Sequence, residues 1–108
     1  MINVIFKKSQ GLFLSFFVKG HADYANYGKD IVCSAVSTSA QFTIIGITDS
    51  LNLKADYTTL EGDISLDLSN LSFKEIKEAQ NFIDTMFKFC IGLTDAYGKY
   101  VKVNIEEV

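Results

Sequence analysis

Apolar and polar positions alternate at the start of the chain. Residues 2–7 are rich in β-branched and aromatic side chains and predict a strand. Ser9-Gln10-Gly11 is a turn signal, and residues 12–19 predict a second strand that completes a hairpin. A strict period of two puts Leu12, Leu14, Phe16 and Val18 on one face, and Phe13, Ser15, Phe17 and Lys19 on the other. After residue 30 the period lengthens. Val32, Ala35, Val36, Ser39, Phe42, Thr43 and Gly46 recur at helical spacing, predicting a helix over 31–51. Ile44, Ile45 and Ile47 widen its apolar face beyond one stripe. Residues 53–58 and 63–68 predict strands around Glu61-Gly62, the latter with Ile64, Leu66 and Leu68 alternating against polar neighbours. Ser72-Phe73-Lys74-Glu75 reads as a capping box that starts a second helix running to about residue 96. Its core stripe is Ile76, Ala79, Ile83, Met86, Phe87, Cys90 and Leu93, with Phe82 and Phe89 left to one side. Residues 100–105 alternate again as a last strand.

The order ββαββαβ predicts an α+β fold: a two-layer arrangement of a mostly antiparallel sheet with two helices on one face. The 108 residues suit a single domain spanning 1–108, without repeat, linker or low-complexity segment. Nearly half are apolar and none is proline, which excludes a disordered chain. The net charge of −3 argues against a broad basic face for nucleic acid. Residues 1–8 lack a basic segment ahead of the apolar one, so no signal peptide is expected. No apolar run is expected to reach bilayer-spanning length, and no membrane association is expected. These features predict a cytoplasmic protein whose two cysteines are free thiols.

The candidate chemistry lies in residues 20–37. They hold the only histidine, His21, and one of the two cysteines, Cys33. With Asp30 as N-cap, Cys33 falls in the first turn of a helix, where the dipole favours a thiolate. A histidine within reach can take the thiol proton. Twelve positions separate the pair, so the loop 22–29 must fold back, and Gly28 makes that bend easier. Asp30 has two readings, as helix cap or as the group that orients the His21 ring. Ser37, one turn after Cys33, either lines the pocket or is a small packing residue. Tyr24 and Tyr27 either cover a bound peptide or pack the loop. Cys90 sits inside an apolar stripe and reads as core. One histidine, two cysteines and scattered carboxylates lack the spacing of a zinc site, and no motif calls for a cofactor.

Gly20-His21-Ala22, Tyr24-Ala25, Gly28 and the run Asp30-Ile31-Val32-Cys33-Ser34-Ala35-Val36-Ser37 resemble the signature of the Prp family, bacterial ribosomal-processing cysteine proteases. The family usually has alanine where this chain has Ser34. The resemblance implies that His21 and Cys33 are the catalytic pair. It implies a substrate at the N-terminal extension of a large-subunit ribosomal protein, cut between an aromatic and a small residue. It also points to a homodimer. The competing reading of the same sequence is a non-enzymatic dimeric module that binds a peptide or protein, suggested by the surplus apolar surface around Phe82 and Phe89.

Overall fold

The computed structural model describes residues 1–20 and 31–108, and the backbone of 27–30. Two strands, β1 (Ile2–Ser9) and β2 (Leu12–Lys19), are joined by Gln10 and Gly11 at φ 51° and 82°. Two consecutive left-handed residues are what a tight hairpin needs to match strand twist. Then come α1 (Tyr27–Ile45), a π-helical turn (Gly46–Ser50), β3 (Asp56–Leu60), β4 (Asp63–Asp67), α2 (Phe73–Tyr97) and β5 (Val101–Glu107). The order is the expected ββαββαβ. The strands form one sheet, β3-β4-β2-β1-β5, antiparallel throughout except for the parallel pair of β1 and β5. The third strand starts three residues later than expected. Leu53 is instead buried in the connection, its N–H donating to the Ile47 carbonyl at 3.1 Å.

The face assignment of β2 needs correction. Lys7 pairs with Ser15 but Lys8 pairs with Phe13, so Leu14 is an extra residue, a β-bulge. The bulge resets the alternation and brings Phe13 to the side of Phe16 and Val18. Phe13 is buried, with its ring 5.6 Å from Phe6 and 5.5 Å from Phe87. Beyond the bulge the backbone of β2 leaves the β4 ladder, and Gln80 of α2 takes over. Its side chain accepts from the Phe13 N–H and donates to the Phe13 carbonyl, both at 2.8 Å.

α1 packs over β2 and β4, α2 packs over β2 and β5, and the helices pack on each other. Val32, Val36, Ala40 and Ile44 of α1 meet Ile76, Ala79, Ile83 and Met86 of α2 in one core with Val4, Phe6, Phe16 and Leu66 of the sheet. Burying each large apolar side chain contributes about 1.5–3 kcal/mol. Residues Ile31–Ser50 are long and apolar enough to cross a membrane by length and composition, which corrects the expectation that no run reaches that length. Here they form a packed helix, apolar because it meets the sheet on one side and α2 on another. Where α1 passes into the π-helical turn, Gly46 lets the backbone touch α2. A β-carbon there would stand 2.3 Å from the Phe82 ring.

The capping box of α2 is formed. The Glu75 N–H donates to Ser72 Oγ at 3.2 Å, and the Ser72 N–H donates to Glu75 Oε1 at 3.0 Å. The hydrogen bond from the Ser72 backbone, helped by its side chain, holds the Glu75 carboxyl below its ordinary value.

Candidate active site

The site is built where β2 ends. Gly20 follows β2 with φ 105°, a conformation open to glycine. Its N–H donates to the Gly62 carbonyl at 3.3 Å, tying the end of β2 to the β3–β4 turn. A β-carbon on Gly20 would lie 2.5 Å from the Met1 carbonyl oxygen. Gly20 is the residue bonded to His21 in the sequence. His21 and Tyr24 themselves lie outside the described residues.

The start of α1 corrects several expectations. The helix begins at Tyr27, so Tyr27 and Gly28 are helical residues and not part of a folded-back loop. As a helical residue Gly28 needs no positive φ. Asp30 is the fourth residue of the helix, which removes its role as N-cap. The apolar periodicity starts only at Ile31, and the turn before it left no hydrophobic trace in the sequence. Cys33 is the seventh helical residue, not a first-turn residue. Its N–H is paired within the helix and not free for an oxyanion, and the dipole's effect fades after the first turn.

Cys33 is half-buried and packs against the core. Ser37 and Gln41 follow it at intervals of four, on the same stripe of α1. Both line a cavity of about 330 Å³ whose other wall is the β3–β4 hairpin, with Thr59, Leu60, Glu61, Gly62 and Ile64. Ser37 therefore lines this cavity. Gly62 belongs both to this cavity and to the hydrogen bond with Gly20. The stripe bearing Cys33 and the end of β2 thus converge on one corner of the sheet. Gln41, Thr59 and Glu61 were missed from sequence. The eight-residue interval from Cys33 to Gln41 was the available signal.

Cys90 is a different kind of thiol. It is fully buried, and burial pushes it up to about 11, opposed by the Ser39 hydroxyl 4.0 Å away. Among the described residues, no group of three His, Cys, Asp or Glu side chains could hold a metal ion.

A second cleft, of about 1020 Å³, opens between α1 and α2. Ile31, Ala35, Phe42, Phe82, Met86 and Phe89 make it apolar, with hydroxyls of Ser34, Thr38 and Thr85 at intervals. Phe42 is 72% exposed and Phe89 45%.

The model of a family described as cysteine protease Prp matches residues 1–102. Among solved structures, SMU.848 from Streptococcus mutans superposes with a TM-score of 0.85 at 24% identity, covering 100% of this chain and 96% of that one. An essential ribosomal processing protease Prp from S. aureus, in complex with a substrate peptide, has a TM-score of 0.85 at 22% identity, covering 98% and 100%. The same protease with a covalently linked product peptide has a TM-score of 0.78 at 23% identity, again covering 98% and 100%. At these identities the likeness is one of fold. No curated protein matches the chain.

Proposed function

The chain belongs to the cysteine protease Prp family, and from that premise we propose that it is a cysteine endopeptidase with Cys33 as nucleophile and His21 as its proton carrier. His21 takes the thiol proton while sulfur adds to the scissile carbonyl. The tetrahedral intermediate collapses, the C–N bond breaks, and His21 returns the proton to the departing amine. Water, deprotonated by His21, then attacks the thioester and frees Cys33. Asp30, released from capping, fits the second of its readings as the carboxylate that orients the imidazole. The observation that carries this function is the family match over 1–102, which includes both residues.

The substrate we propose is the N-terminal extension of a large-subunit ribosomal protein, removed in the cytoplasm during ribosome assembly. The S. aureus structure, a ribosomal processing protease holding a substrate peptide, supports that class. The protease acts as a homodimer, with the apolar cleft of α1 and α2 as the face that a second copy covers. Contact runs through protein and not through nucleic acid, in keeping with the net charge of −3.

Incubation with peptides copied from ribosomal-protein N-termini, read by mass, tests the proposal. One cut is expected, lost in Cys33→Ala while the circular dichroism spectrum stays unchanged. Cys33→Ser is expected to be inactive too, because a hydroxyl needs stronger activation. Full turnover in the alanine variant removes Cys33 from the chemistry.

A further inference from the structure

The polar cavity beside the Cys33 stripe has no part in the bond-breaking steps. Its walls come from two elements that the Gly20–Gly62 hydrogen bond holds next to the site. Its chemistry differs from that of the large cleft. Its lining residues include Ser37 and Thr59, which carry hydroxyls, Gln41, which carries an amide, and Glu61, which carries a carboxylate. Neighbouring Asp63 is engaged by Lys19 at 3.6 Å, whereas no ion pair holds Glu61 among the described residues. Ser37 lies one helical turn, about 6 Å, from Cys33. A peptide whose scissile carbonyl sits at the thiol therefore carries a side chain within reach of this cavity.

We propose that the cavity between α1 and the β3–β4 turn is a specificity subsite for a basic side chain of the substrate. Glu61 supplies the charge, and Gln41, Ser37 and Thr59 accept the remaining hydrogen bonds. The proposal rests on the endopeptidase reading and adds a substrate class to it. A lysine or arginine is the side chain that matches: several donors, one positive charge, and a flexible apolar stem that can lie against Leu60 and Ile64.

The test uses a peptide that the wild-type protein cuts, with lysine, glutamine or glutamate placed in turn at each position flanking the cut. At one position lysine is expected to exceed glutamate by about threefold to fivefold in kcat/KM, the scale of an exposed ion pair. That preference shrinks as salt rises. Glu61→Lys is expected to invert it, so that the glutamate peptide is cut faster than the lysine peptide. Glu61 is on an exposed turn, so the exchange does not threaten folding. Equal lysine-to-glutamate ratios in wild type and variant at every position overturn the subsite and leave the protease reading standing. A wild-type protein that cuts no peptide overturns the protease reading, and the subsite with it.

Discussion

A single β-carbon decides the corner where β2 ends. At Gly20 it would meet a carbonyl oxygen 2.5 Å away, on a backbone at φ 105°. Gly20→Ala is expected to cost about 1–3 kcal/mol from strain and overpacking. It should also lower cleavage further than the stability loss explains, because it displaces the residue bonded to His21. Urea midpoints and kcat/KM measured side by side check both parts. Cys90 gives a pH dependence whose sign follows from burial. Its thiol titrates near 9.0 in the unfolded chain and near 11 in the fold. Between those values the unfolded chain has released the proton and the folded chain has kept it. The contribution is therefore fully present below about pH 9 and is lost as pH rises towards 11, at up to about 1.4 kcal/mol per pH unit. The urea midpoint is expected to fall more between pH 8 and pH 10 in wild type than in Cys90→Ala. Equal falls would assign the drop to other groups. The burial of Cys90 was legible because it interrupts an apolar stripe of known period. The position of Asp30 was not, because an aspartate before an apolar run looks like a cap whether or not the helix has already begun.

Among the elements, the bulge in β2 and the helix above it depend on each other. Gln80 satisfies both backbone groups of Phe13, where the ladder to β4 stops. Gln80→Leu leaves those groups without partners and is expected to destabilise the fold by about 1–3 kcal/mol. Denaturant titration of the variant measures this, and a loss under a few tenths of a kcal/mol would show that water replaces the amide freely. Among the described residues, the Ser-x-x-Glu motif found the capping box at Ser72, and hydrophobic period found the strands and the two helices, with the starts of α1 and β3 misplaced. It could not locate the bulge, since a period of two carries no sign of a residue that is skipped. Nor could it find the convergence of Gly20, Gly62 and Ser37, which depends on tertiary pairing and not on neighbours in sequence.

On the scale of the molecule, the apolar cleft between the helices is an exposed surface feature. Its exposed Phe42 and Phe89 exceed the scattered apolar residues that a surface normally carries. Phe42→Asp is expected to convert a dimer to a monomer at micromolar concentration, with a thermal midpoint no lower than that of a wild-type monomer. Sedimentation equilibrium decides the point, and a monomeric wild-type protein removes this face as a dimer interface. The alternation of α1 showed that its apolar surface was wider than one stripe, but not which part the sheet would use.

β1 pairs with β5 as well as with β2. During synthesis β1 leaves the ribosome with one edge open, and the parallel partner for that edge is made after every other strand of the sheet. Until residues 101–107 emerge, β1 remains a row of unpaired amides and carbonyls, the kind of edge on which other chains add. The sheet that positions Gly20 is finished only when translation has passed that strand. The order of manufacture therefore delays the assembled sheet until β5 has been made.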